Sequence, residues 1–138
     1  MATLTDGNYR LLKNGPYMSP NHLNYFRKKI LEMQATVQRK LRETLEELRE
    51  HKVRETEILD RSDANTFRDM KLMACQRYRM MIEQYDAALK RIDEGSFGYC
   101  QITGDEIGLE RLESIPYANL SVEAQELLER RSRRSRVA

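Results

Sequence analysis

Phe97-Gly98-Tyr99-Cys100-Gln101-Ile102-Thr103-Gly104-Asp105-Glu106-Ile107-Gly108 has the aromatic and glycine framing of a zinc knuckle, yet carries a single cysteine. A structural zinc site closes tetrahedrally with four donors, commonly two pairs spaced Cys-x-x-Cys. Here the first pair reads Cys100 and Thr103, and the second reads Ser121 and Ala124. Hydroxyls are poor zinc donors at neutral pH and a methyl group is none, so only Cys100 offers a ligand and no structural zinc is expected. His22 and His51, the two histidines, fall in or near the first helix and read as packed or solvated side chains.

Without metal, packing must hold the segment. Phe97, Tyr99, Ile102, Ile107, Leu109, Leu112, Ile115, Tyr117, Leu120 and Val122 supply apolar surface for a small core. Ser121 is placed to cap a final helix reaching about Arg133, with Leu127 and Leu128 on its buried side. Cys100 then reads either as a small buried hydrophobe or as a reactive thiol.

Upstream of the knuckle, two long stripes dominate the chain. Ser19-Pro20 supplies a helix cap followed by proline at the first helical position. Beyond it Leu23, Phe26, Ile30, Met33, Val37, Leu41, Leu45 and Leu48 recur every three or four residues between charged neighbours. A second stripe runs through Phe67, Met70, Ala74, Tyr78, Met81, Tyr85, Ala88 or Leu89, and Ile92, and Gly95 stops it. The reversal is placed near residues 54 to 62, where Asp60 or Ser62 can cap the second helix. Arms of about 35 residues rising ~1.5 Å per residue project roughly 50 Å. The expected fold is therefore all-α: a long antiparallel coiled-coil hairpin over 19–95, preceded by a segment 1–18, and attached to a degenerate zinc-knuckle region with a C-terminal helix over 96–138.

Composition bounds the function. At 138 residues, 33% charged, with no tryptophan, six glycines and three prolines, the chain favours helices with a narrow apolar seam over a thick core with a large catalytic pocket. A net charge of +2 is too small for a protein that neutralises many phosphates over its whole surface. The basic charge gathers at Arg130, Arg131, Arg133, Arg134 and Arg136, which read as a solvated helix end favoured by the helix dipole. Neither an 18-residue apolar run nor a signal-type N-terminus is present, so a cytoplasmic protein with no membrane association is expected. In that reducing compartment Cys75 and Cys100 should stay unpaired.

These residues resemble the DksA/TraR family of bacterial transcription regulators over nearly the whole chain. The resemblance rests on Tyr17-Met18, Leu23-x-x-Phe26-Arg27, Phe97-Gly98-Tyr99-Cys100, Glu106-Ile107-Gly108-x-x-Arg111-Leu112-Glu113-x-x-Pro116 and Ala118-x-Leu120. Within the family, Thr103, Ser121 and Ala124 in place of cysteines make the chain similar to the zinc-independent paralogue of pseudomonads. The resemblance implies a non-enzymatic monomer that binds RNA polymerase, inserts its coiled coil into the secondary channel and reads no promoter sequence. It places the acidic tip on Glu57, Asp60 and Ser62, with Asp60 matching the family pattern and the other two departing from it. It also implies ppGpp as co-regulator at the polymerase interface, although Gln84, Ile115 and Gln125 stand at family positions that are otherwise basic. A transcript-cleavage factor of the Gre type is the alternative reading, since it too carries acids at a coiled-coil tip. A nucleic-acid binder using the arginine-rich tail and a free-standing coiled-coil adaptor are the remaining readings.

Overall fold

In a computed structural model the described residues are 15–55 and 61–137, with side chains described over 15–52 and 65–136. Four helices follow in order: α1 (Pro20–Glu55), α2 (Arg61–Glu94), α3 (Leu109–Ser114) and α4 (Val122–Val137). Among the described residues there is no strand, only an isolated antiparallel bridge between Tyr99 and Glu106. None of the described helices is long and apolar enough to cross a membrane. The all-α hairpin expected from the two stripes is present, and its partners establish its sense. Gln34 meets Ile82 and Asp86, Glu47 meets Lys71, and His51 stacks on Phe67, so α2 runs backward as α1 runs forward.

The start of α1 follows its sequence signal. Ser19 Oγ accepts the His22 N–H at 3.4 Å, capping the third helical residue, and Pro20 takes the first position, where no donor is needed. His22, buried at 2% exposure, accepts the Met18 N–H on Nδ1 at 3.1 Å.

The chain divides into two compact units, one formed by Met1–Ile30 with Ala87–Ala138 and the other by Leu31–Asp86. In the second unit the seam differs from the simplest apolar stripe. Gln34 and Thr44 are buried, while Leu45 and Met70 are exposed. A seam that repeats every 3.5 residues selects 34, 37, 41, 44 and 48 on α1, which displaces Met33 and Leu45 toward solvent. The polar residues are tolerated because each is satisfied. Gln34 Nε2 donates to Asp86 Oδ1 at 2.6 Å and to the Ile82 carbonyl at 3.3 Å, and Thr44 Oγ1 donates to the Lys40 carbonyl at 2.8 Å. On α2 the same repeat buries Cys75 and Tyr85 and leaves Phe67 partly open.

In the first unit, Phe26, Ile30, Ala88, Ile92, Phe97 and Leu112 form the core. The rings of Phe26 and Phe97 lie 5.6 Å apart and join α1 to the knuckle. The core is smaller than the apolar inventory implies. Ile102 and Val122 lie at the surface, and Leu127 and Leu128, expected on the buried side of the last helix, are 46% and 39% exposed. The reason lies in α4 itself: it continues to Val137, and beyond Gln125 every described side chain is exposed.

Candidate functional site

The knuckle begins where α2 ends. Gly95, at φ 83°, takes the left-handed conformation that closes a helix, while the Ser96 and Phe97 N–H groups both return to the Arg91 carbonyl. The loop then folds on itself. Cys100 N–H donates to the Asp105 carbonyl at 2.8 Å, Gly104 N–H to the Cys100 carbonyl at 2.9 Å, and Ile107 N–H to the Gly98 carbonyl at 2.8 Å. Tyr17 pins this loop from the N-terminal side, its hydroxyl donating to the Gly98 carbonyl at 2.6 Å and accepting the Gly108 N–H at 2.9 Å. Burial raises the Tyr17 pKa above its ordinary value, so the phenol stays protonated as a donor. Gly98 is fixed by space as well as by its φ of 91°. A Cβ there would lie 2.7 Å from Met18 Cγ and Sδ.

A second set of long-range contacts was not legible in the sequence. Glu113 of α3 accepts from Tyr25 at 2.9 Å and from the Lys29 ammonium, and Lys29 also reaches the Glu113 carbonyl at 2.8 Å. Burial, then the Glu113 hydrogen bond, pushes the Tyr25 pKa well above its ordinary value. Arg91 and Arg111 both hold backbone carbonyls of the knuckle region. Arg91 donates to the Tyr117 carbonyl at 3.2 Å, and burial pulls its guanidinium below its ordinary range. Arg111 Nε donates to the Leu120 carbonyl at 3.0 Å. Partners 84, 26 and 9 residues away leave no periodic trace in the chain.

The four knuckle positions come together. Cys100 is 3% exposed and Ser121 and Ala124 are buried, while Thr103 is exposed at the rim. The Thr103 hydroxyl and the N–H groups of Ser121, Thr103 and Ile102 point at the Cys100 sulfur. Ser121 Oγ accepts the Ala124 N–H at 3.2 Å, the helix cap expected of it, and Thr103 Oγ1 accepts the Asp105 N–H at 3.2 Å. This donor set does not fit a four-thiolate zinc site. One sulfur is available, both hydroxyl oxygens are engaged by backbone N–H groups, and Ala124 presents a methyl group. Among the described residues, no group of three or more His, Cys, Asp or Glu side chains is placed to hold a metal.

Burial pushes the Cys100 thiol up, but the hydrogen bonds from Thr103, Ser121 and Ile102 outweigh it and bring its pKa down to about 6 from 9. A depressed folded-state pKa means that the unfolded chain binds more protons between these values. The stability this group contributes is complete above pH 9 and is lost as pH falls toward 6. Replacing Thr103 by Val removes one donor and should raise the Cys100 pKa toward its unfolded value. Thiolate absorbance in a Cys75→Ala background measures it, and an unmoved midpoint refutes the assignment.

Of the tip residues read from the sequence, Glu57 and Asp60 lie outside the described residues. Ser62 falls in the first turn of α2, with its side chain outside the described set. Of the three positions tied to ppGpp, Gln84 is exposed on α2, Ile115 follows α3, and Gln125 donates to Glu129 at 3.3 Å.

A helical hairpin joined to a knuckle in which one thiol survives from a four-ligand pattern defines a narrow class of protein. Residues 22–92 match the family described as DnaK suppressor protein DksA, N-terminal domain, and residues 95–130 match the prokaryotic dksA/traR C4-type zinc finger. The RNA polymerase-binding transcription factor DksA of Caulobacter vibrioides is 41% identical over 125 residues, covering 91% of this chain and 88% of that protein. The protein of the same name from Haemophilus influenzae is 27% identical over 125 residues, covering 91% and 86%. Among solved structures, transcription factor DksA2 from Pseudomonas aeruginosa superposes with a TM-score of 0.82 at 32% identity, covering 90% of this chain and 97% of that one. The chain belongs to the DksA/TraR family.

Proposed function

We propose that this protein is a non-enzymatic regulator that binds bacterial RNA polymerase and shifts the stability of promoter complexes. The observation that carries the reading is membership of a family whose relatives, similar over nine-tenths of this chain, are named RNA polymerase-binding transcription factors. The hairpin of residues 19–95 enters the polymerase secondary channel as the family resemblance implies, carrying Glu57, Asp60 and Ser62 toward the active centre. In that confined, partly desolvated setting a carboxylate acts more strongly than in open water, by biasing mobile elements or pairing with a basic group. The protein works as a cytoplasmic monomer, reads no promoter sequence, and takes ppGpp as co-regulator at the polymerase interface.

The region 96–138 folds without structural zinc, because packing around Phe97, Ile107 and Leu112 and the Tyr17 pin supply the closure that four thiolates provide elsewhere. Treatment with a strong chelator should therefore leave helicity and melting temperature unchanged. Marked unfolding on chelation would overturn the metal-free core. The function itself is tested with purified polymerase on a stable-RNA promoter and a biosynthetic promoter, with and without ppGpp. Shortened complex lifetime at the former supports the reading, and an absence of polymerase binding sinks it.

A further inference from the structure

Within the unit Leu31–Asp86, α1 and α2 frame a cavity of about 200 Å³ lined by Leu48, Arg49, His51, Lys52, Arg68 and Leu72. Three cations and an imidazole thus stand around it beside two leucines, and no lining side chain is acidic. The hairpin does little to neutralise them. Lys52 and Arg68 form no ion pair or hydrogen bond among the described residues, and Arg49 reaches only Glu46, at 3.6 Å, in a pair whose side chains are 78% and 58% exposed. So exposed a pair holds a guanidinium weakly. Glu47, the next carboxylate along α1, is taken by Lys71 at 2.6 Å. Like charges gathered around one cavity favour an anion between them.

The position of these groups is set before any guest arrives. His51 stacks on Phe67 at 4.3 Å between centroids, and the Lys71 ammonium lies 5.5 Å from the same ring, so this turn of α1 is fixed against α2. Arg49 and Lys52 come from one helix and Arg68 from the other, and a guest between the arms meets charge from both. Size, charge and shape then narrow its class. The cavity is smaller than the ~300–1,000 Å³ of pockets that enclose drug-sized ligands, so the guest is compact. Three cations call for more than one negative charge, and guanidinium forks pair bidentately with phosphate oxygens. A lone carboxylate satisfies one fork and leaves the other cations unmet. We propose that this cavity binds the diphosphate group, free or at the end of a nucleotide. It is distinct from the positions tied to ppGpp, since Gln84 lies about 24 Å along α2 from Arg68. It also lies outside the polymerase-binding reading and stands or falls separately from it.

Titration of the full chain with inorganic diphosphate, without divalent cations and followed by the arginine Nε–H signals in two-dimensional NMR, tests the proposal. The Arg49 and Arg68 signals should move along one saturating curve while those of Arg130, Arg131 and Arg133 stay in place. Arg68→Gln removes a charged donor and should weaken binding at least about tenfold. Arg79→Gln, on the same helix but outside the cavity, should leave the curve unchanged. Arg68 is exposed, so its replacement leaves the fold intact, which circular dichroism checks. Binding of ADP as tight as that of the inorganic anion shows that the site reads the end of a nucleotide, and binding of the inorganic anion alone shows that it takes free diphosphate. Both results uphold the proposal. It is overturned if the shifts never saturate, if sulfate at matched ionic strength reproduces them, if AMP or orthophosphate binds as tightly as diphosphate, or if Arg68→Gln titrates like wild type. Polymerase pull-down with the same variants reads the regulatory role separately, so failure of one is not failure of the other.

Discussion

Substituting Asp60 by Asn should abolish the effect on promoter complexes while polymerase binding persists. The change removes a charge and preserves size and hydrogen-bonding shape, so it isolates the electrostatic part of the proposed tip. Coupling between sites typically amounts to about 1–3 kcal/mol, or roughly 5- to 150-fold in a population or lifetime. A marginal promoter complex is therefore expected to regain a lifetime tens of fold longer than with the wild-type factor. Complex decay measured after competitor addition reads the effect directly. If the Asn variant regulates as well as wild type, the tip is elsewhere. If it also fails to bind polymerase, Asp60 anchors the complex and does not act on the active centre.

The second large effect concerns the core in which α1 packs on the knuckle. Phe26 is 0% exposed and its ring packs against Phe97 at 5.6 Å and Tyr25 at 5.1 Å. Truncating a buried phenylalanine to alanine costs about 3–5 kcal/mol through lost transfer energy and the cavity left behind. Against a typical total of about 5–15 kcal/mol this is a large fraction, so Phe26→Ala should move the urea midpoint far down or leave the chain unfolded. Leu127→Ala, on the exposed part of α4, should change stability by no more than about 0.5 kcal/mol. Equal effects at the two positions would mean that the knuckle is not held by the packing described.

The architecture was largely readable because it rests on repeats and punctuation. The two stripes, the Ser19-Pro20 start, the Gly95 stop and the Ser121 cap are local signals, and each appears where the chain announces it. Details of the seam were not. A plain apolar reading prefers Met33, Leu45 and Met70, whereas a 3.5-residue repeat with self-satisfied polar residues prefers Gln34 and Thr44. Leu127 and Leu128 misled for a related reason. Helical spacing shows which residues share a face, but not whether anything packs against it. The gathering of Cys100, Thr103 and Ser121 was legible from the degraded ligand pattern, while the depressed Cys100 thiol depends on backbone N–H directions that no pattern records. The Tyr25–Lys29–Glu113 cluster joins residues more than eighty positions apart and left no mark on either segment.

The Tyr17 hydroxyl joins partners 81 and 91 positions away along the chain. Closing so long a loop carries an entropic penalty that is offset only after intervening contacts have brought the ends together. The expected order of assembly is that α1 and α2 zip first and the phenol clasps the knuckle last. Loss of this clasp, as in Tyr17→Phe, is expected to loosen the loop between Gly98 and Gly108 before the α1–α2 pairing gives way.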